Sequence, residues 1–322
     1  MRGTRPPARR TRLLARFLLA SCLTPIVGLA GCGEPVPVEP PGPLAADLYE
    51  IADDDVPAPG AFLRYHPPSA EGGGLDIAIT DYAATDGDRP RISLVGVVHV
   101  ADPIYFEALQ RELDERYASV LYEAVKPADL TVVEWQQQAA ERASSVSSFQ
   151  QELASWFGFV FQLHALDYDR SHFVHADMTT EVFNEAGGAE LLGEVDPEAA
   201  AADLPEGVKT TLDAVRALGQ VALAEPGPLR SIARKMFAET MGTTDIGTSL
   251  DMYPGLEELL LDKRNAVVLE RLDEVLPDAE GPIAIFYGAA HMPDLERRLR
   301  ERGYERTGGR WLRAWALRKP LR

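Results

Sequence analysis

Two short segments of this chain end apolar runs on a histidine. In "RISLVGVVHVADP" (91–103) the residue is His99, and in "PIAIFYGAAHMPDLE" (282–296) it is His291. Each stands three residues after a glycine, Gly96 or Gly288, and each is followed by a helix-start signal. An imidazole can serve as a general base or a metal ligand near neutral pH. Two such layouts, about two hundred residues apart, point to one shared site. A carboxylate, Glu123, lies inside the apolar run "VLYEAV". An isolated buried carboxylate is costly, so it needs a cationic, metal or hydrogen-bonded partner. The bland alternative is a buried ion pair with Arg264 that supports the sheet and does no chemistry. Two histidines and a carboxylate commonly hold a divalent ion with open coordination positions. Such an ion lowers the pKa of a bound water and polarises a carbonyl. On that reading the ligands are His99, Glu123 and His291, with Asp177 of "SHFVHADM" as a further candidate. His175 and Asp177 are two apart in an expected strand and should share a face. His66, His164 and His172 read as surface or packing residues.

The elements that must position these groups are legible as periods. Strands are predicted at 75–82, 91–100, 118–125, 171–178 and 282–288. The nearly continuous apolar runs among them fit strands covered on both faces. Asp102-Pro103 offers an N-cap and a first-turn proline for a helix running to about 117, and Thr179 or Thr180 caps another. The strand–helix–strand unit over 91–125 predicts a parallel pair. Residues 127–165 and 186–248 read as mostly helical, 255–276 as the clearest long helix, and 293–302 as another. Gly308-Gly309, between two alternating runs, predicts a hairpin. The expected fold class is α/β: a parallel or mixed central sheet of three to five strands flanked by helices, with a mainly helical insertion over about 127–280. The glycines before the histidines would let backbone or a ligand come close.

With these residues in hand, the chain resembles the TraB/PrgY/GumN family. The likeness rests on the paired motifs Gly96-Val97-Val98-His99 and Gly288-Ala289-Ala290-His291, on Glu123 after the first, and on the helix-borne Arg264-Asn265 before the second. It covers roughly residues 91–300. It implies a hydrolase similar to the Tiki metalloproteases and related in fold to erythromycin esterase and the ChaN-like proteins. It further implies Mn²⁺ or Co²⁺, with Zn²⁺ also compatible, at His99, Glu123 and His291, and a peptide or protein substrate. Arg264 would steady an oxyanion or a substrate carboxylate, and Asn265 would orient it. A variant without metal uses one histidine as general base on water. An alternative of another class is a non-catalytic lipoprotein that holds a peptide, a metal or haem in the same pocket.

The rest of the sequence bounds where this could happen. Residues 1–31 carry six arginines and no acids, then an apolar stretch, the layout of a secretory signal. Leu29-Ala30-Gly31-Cys32 resembles the bacterial lipobox, with Cys32 as the lipidated residue. Residues 32–60 are rich in proline and acids and read as a tether, leaving 61–322 as one α/β domain. The expected location is the cell envelope, on the extracytoplasmic side, with the membrane reached through the lipid. The two cysteines are Cys22, inside the signal, and Cys32, so thiol catalysis and disulfides drop out. Formal charge is −18, and loss of the six arginines takes it to −18 − 6 = −24, which disfavours nucleic acid as a partner. No GxSxG, HExxH, Walker or GxGxxG motif occurs.

Overall fold

Runs of apolar residues at the centre of the chain become strands because both of their faces can be covered. The computed structural model describes residues 55–69, 72–135, 157–188, 228–243, 255 and 257–317. The expected signal, Cys32 and most of the tether lie outside the described residues, as does much of the helical content expected over 127–165 and 186–248. The strands are β1 (Leu63–Ser69), β2 (Gly72–Ala84), β3 (Ile92–Val97), β4 (Val100–Ala101), β5 (Ser119–Tyr122), β6 (Val160–Phe161), β7 (Phe173–His175), β8 (Ile283–Gly288) and β9 (Tyr304–Ala316). The helices are α1 (Pro103–Arg116), α2 (Gln162–Ala165), α3 (Thr180–Glu185), α4 (Pro228–Thr243), α5 (Lys263–Val275) and α6 (Met292–Glu301).

Seven strands form one mixed sheet, in the order β1-β2-β3-β8-β5-β7 with β9 on the other edge of β2. This exceeds the expected three to five strands, because β1 and β9 join the expected β2 in an antiparallel half. The pairs β3–β8, β8–β5 and β5–β7 are parallel. All six residues of β8 are buried. Its side chains alternate between two cores: Ile283, Ile285 and Tyr287 join one, Ala284 and Phe286 the other. Val268, Leu269 and Leu272 of α5, with Met292, Leu295 and Leu299 of α6, close the first. Tyr105, Phe106, Leu109 and Leu113 of α1 close the second, with Phe237 and Met241 of α4. Burying such side chains stabilises by about 1.5–3 kcal/mol each.

Several expectations are corrected. β3 and β5 are parallel but not neighbours, since β8 enters between them and takes hydrogen bonds from both. Asp102 does not cap α1 with its side chain. Its carboxylate accepts from Arg234 at 2.6 Å and from the Ala316 N–H at 2.8 Å, tying α4 and the end of β9 to the loop after β3. Residues 159–161, expected helical, hold the short strand β6, which pairs with β4. A π-helical turn, Glu258–Asp262, precedes α5. The tether reaches the domain before residue 60: Pro57 is buried, and Arg306 donates to the Pro57 and Ala58 carbonyls. Thr179 does cap α3, accepting from the Val182 N–H.

The Gly-Gly pair makes no hairpin. β9 runs unbroken past it, with Gly309 opposite Thr80 and Gly308 opposite Asp81. Its thirteen-residue partner, β2, pairs with it on both sides of the glycines, with one residue of β9 bulged out at Thr307, directly before Gly308, and another at Ala314. The glycine at 309 answers a packing demand, since a Cβ there would lie 2.6 Å from the Ile79 carbonyl oxygen. At Gly308 a Cβ would meet nothing within 4 Å. We therefore expect Gly309→Ala to lower stability by about 1–3 kcal/mol. Gly308→Ala should stay within about 0.5 kcal/mol of wild type. Urea unfolding of both variants checks the pair; equal losses would contradict the close approach.

Candidate active site

The parallel half of the sheet brings its carboxyl ends to one edge, and each of its four strands delivers one site residue there. His99 follows β3, Glu123 is the first residue past β5, Asp177 follows β7 and His291 follows β8. Ligands of open α/β sheets bind beyond such ends. From the covering layer, α5 contributes Arg264 and Asn265. All six side chains are buried, with Arg264, Asn265 and His291 fully so.

Arg264 occupies the centre. Its Nε donates to Asp177 Oδ1 at 2.9 Å, and one Nη2 hydrogen goes to Asp177 Oδ2. The second Nη2 hydrogen goes to Glu123 Oε1 at 2.8 Å. Nη1 donates to the Leu260 carbonyl at 3.3 Å and faces His291 Nε2 at 3.4 Å. Leu260 lies in the π-helical turn, so that irregularity presents its carbonyl to the guanidinium. A guanidinium has five N–H donors, and all five have an acceptor here. The other Glu123 oxygen, Oε2, accepts from the Gly288 N–H at 2.5 Å.

Electrostatics follow from this geometry. Burial alone raises the Glu123 carboxyl, but Arg264 first, then His291 and His99, outweigh it and hold the group well below the usual carboxylate range. Burial works against charge on Arg264 too, and Asp177 and Glu123 reverse it, raising the guanidinium above its ordinary value. Two carboxylates and one guanidinium leave a formal excess of one negative charge beside two imidazoles.

Each imidazole is held by a side-chain amide. His291 Nδ1 lies 2.7 Å from Asn265 Oδ1, while Asn265 Nδ2 donates to Asp294 Oδ2 at 2.8 Å. That orientation makes Nδ1 the protonated nitrogen and turns the Nε2 lone pair towards Arg264, 3.4 Å from Glu123 Oε1. Tyr287 packs edge-on against the ring, with centroids 5.1 Å apart. His99 Nδ1 lies 2.8 Å from Gln162 Oε1. Its Nε2 is buried and has no hydrogen-bond partner among the described residues. Burial lowers the His99 pKa, against the pull of Glu123 and Gln162. His99 also responds to the charges of Arg264 and His291. Glu123 thus acts on both imidazoles, although only His291 lies in the directly contacting cluster.

The donor set does not fit the three-ligand divalent site expected from the sequence. Both Glu123 oxygens and both Asp177 oxygens already accept N–H groups, and a fixed cation, Arg264, stands between them. Among the described residues, no three His, Cys, Asp or Glu side chains group so as to hold an ion. Arg264 is not free to steady an oxyanion, because its donors are taken. Asn265 orients His291, not Arg264. His175 bonds the Ala124 carbonyl at 2.7 Å and stays outside the cluster. The strand ends at His175, so the alternation that would pair it with Asp177 stops there. Gly96 admits the neighbouring strand: a Cβ would lie 3.1 Å from Ile77 Cγ2 and 3.3 Å from the Ala78 oxygen. His66, His164 and His172 lie outside the cluster: His66 is 3.5 Å from Asp76, His164 packs on Phe161, and His172 faces the Leu113 carbonyl.

Sequence reasoning missed Gln162, Asp294, Tyr287 and the Gly288 N–H. Gln162 was within reach: it is a polar residue in the apolar stretch "FGFVFQL", and the argument applied to Glu123 applies to it. A surface depression of about 620 Å³, lined by Pro59, Gly60, Pro293, Glu296, Arg297, Arg300 and Glu301, shares no residue with the cluster.

Glu123 has a folded pKa below its ordinary 4.5, so its contribution to stability is complete above that value and is lost as pH falls through the lowered one. Removing one partner of a buried charge network costs about 3–5 kcal/mol. We expect Glu123→Gln to be destabilised by about 3 kcal/mol at pH 7, with the gap to wild type narrowing below about pH 4.5. Urea unfolding across that range measures it; a gap constant with pH would contradict the assignment.

Neither a comparison with curated proteins nor one with solved structures returned a match. A family model does match, over a stretch that holds Arg264, Asn265, Gly288 and His291 but not His99 or Glu123. The model that matches, over residues 207–307, is that of the TraB/PrgY/gumN family, and the similarity is confined to that stretch.

Proposed function

We propose that the cluster is the centre of a hydrolase that cleaves an acyl bond of a peptide or ester with water, on a protein held at the extracytoplasmic face of a membrane through Cys32. One observation carries the catalytic part: the buried Nε2 of His99, without a partner among the described residues, beside the Glu123–Arg264–His291 cluster. Leaving a buried polar atom unsatisfied costs about 1–3 kcal/mol, so such an atom calls for an explanation. A general base awaiting a water is one with chemical content. His99 Nε2 takes a proton from water as the oxygen attacks the acyl carbon. The tetrahedral intermediate then expels the amine or alcohol, which leaves with that proton, and the acid remains. The ionised Glu123 favours the transient imidazolium on His99. Arg264 keeps Glu123 charged and in place, and Asp177 holds Arg264 in turn. The TraB/PrgY/gumN segment supports a peptide as the substrate class, through the likeness to the Tiki proteases. The likeness of Leu29–Cys32 to a lipobox supports the anchor.

The test is hydrolysis of a peptide library and of simple esters by the purified protein, with and without EDTA and with Mn²⁺, Co²⁺ or Zn²⁺ added. We expect cleavage that survives EDTA, and a fall of about 10²–10⁴-fold in kcat for His99→Gln. Cleavage abolished by EDTA and restored by Mn²⁺ would replace the general base with an ion site. Intact substrates under every condition, with one ligand bound tightly, would make the protein a binding lipoprotein.

A further inference from the structure

The histidine proposed as the base belongs to a motif, but what holds it does not. Gln162 grips His99 twice. Its backbone N–H donates to the His99 carbonyl at 2.8 Å, continuing the β4–β6 pairing of Val100 with Phe161. Its side-chain oxygen lies 2.8 Å from His99 Nδ1. The far end of the same amide is anchored in turn, since Gln162 Nε2 donates to the Tyr168 hydroxyl at 2.8 Å. Gln162 is 2 % exposed and Tyr168 5 %, so no solvent competes for these bonds. Tyr168 is itself wedged by the sheet. Its ring lies against Tyr122 at 5.1 Å and edge-on to Phe173 at 6.1 Å. Tyr122 is the last residue of β5, directly before Glu123. A continuous chain of contacts therefore runs from the strand that carries Glu123, through Tyr168 and Gln162, to the ring of His99.

We propose that Gln162 and Tyr168 are positioning residues that hold His99 as the Nδ1–H tautomer, with the Nε2 lone pair directed into the site. The assignment rests on the reading of His99 as the proton acceptor, but it makes a claim about the resting protein that can be read without any substrate. A ring nitrogen that accepts a proton must carry a lone pair, and in neutral imidazole only one nitrogen does. An acceptor oxygen at Nδ1 selects the tautomer with the proton there. The arrangement matches that of His291, whose Nδ1 meets Asn265 Oδ1 and whose amide is anchored by Asp294. The same device is thus built twice from unrelated segments, once beside a family motif and once outside it. Gln162 differs from Asn265 in opening a four-residue helix, α2, directly after the two-residue strand β6, where no periodic pattern marks it.

Nitrogen-15 NMR of the histidine side chains in the full-length protein tests this, with His99 assigned by loss of its signals in His99→Gln. Wild type should show Nδ1 protonated and Nε2 unprotonated and pyridine-like. Gln162→Leu should give a mixture of tautomers. Tyr168→Phe, which removes only the hydroxyl, should shift the populations part of the way with the backbone spectrum unchanged. Where a substrate is found, Gln162→Leu should lower kcat at least tenfold and leave KM within about twofold, and Gln162→Asn should be worse than wild type but better than Leu. A wild-type Nε2–H tautomer, as the reversed amide would impose, overturns the proposal. So does a Gln162→Leu or Tyr168→Phe spectrum identical to wild type. Correct tautomers in a protein that cleaves nothing would instead remove the hydrolase reading and leave the positioning of His99 standing.

Discussion

A single guanidinium, wholly withdrawn from water, organises this end of the molecule. Arg264 is 0 % exposed, yet every one of its N–H groups finds an oxygen or nitrogen acceptor. Burying a charge is costly unless it is paired and fully hydrogen-bonded, and this one is both. The consequence reaches beyond stability. By bonding Asp177 and Glu123 together, Arg264 ties the ends of β7 and β5 to α5. Through the Gly288 N–H on Glu123, the end of β8 joins the same network. Three of the four parallel strands are thus locked at their carboxyl ends by one side chain and the carboxylates it holds.

The fourth strand is treated differently. β3 ends at Val97, and the loop that follows is fastened from the opposite side of the sheet. Trp315 donates to the Val100 carbonyl at 2.7 Å and stacks between Phe159 and Phe237. The buried Asp102–Arg234 pair adds a second fastening, with Arg234 also lying over the Phe159 ring. His99 is consequently placed by β6, α4 and β9, whereas Glu123, Asp177 and His291 are placed by Arg264. Two separately built halves meet at the site, and the interaction between them is electrostatic. One half supplies a fixed negative charge, and the other supplies an imidazole whose Nε2 is unengaged among the described residues.

That division gives the two histidines different characters despite their identical motifs. His291 has its Nε2 directed at Arg264 and near Glu123, so its lone pair is already in use. His99 has the same amide support and an unused lone pair. In the hydrolysis proposed above, the unengaged imidazole, His99, is the one able to take a proton from water. His291 is then part of the frame around Glu123.

How much of this was visible in the chain follows from what local patterns encode. The strands around His99, Glu123 and His291, the helix after Asp102, a threonine cap at 179 or 180 and the helix bearing Arg264 were all legible. Continuous apolar runs and capping residues record which faces are buried and where helices begin. The cost of an unpaired carboxylate made Glu123 conspicuous, and it allowed the ion pair with Arg264 to be written down as an alternative. What the sequence could not settle was who pairs with whom. Strand order is decided by packing of the whole sheet, so β8 could enter between β3 and β5 without any mark in the segment that joins them. Gly308-Gly309 has the composition of a turn, and only the pairing with β2 and the nearness of the Ile79 carbonyl show it to lie within a strand, beside a bulge and at a tight approach. The cation at the centre was expected to be a metal because histidine and carboxylate spacing says nothing about a guanidinium arriving from a helix. Residue types and periods fixed the elements and the reactive groups; partner, tautomer and counter-charge are long-range quantities, set only when remote segments close around one another and exclude water.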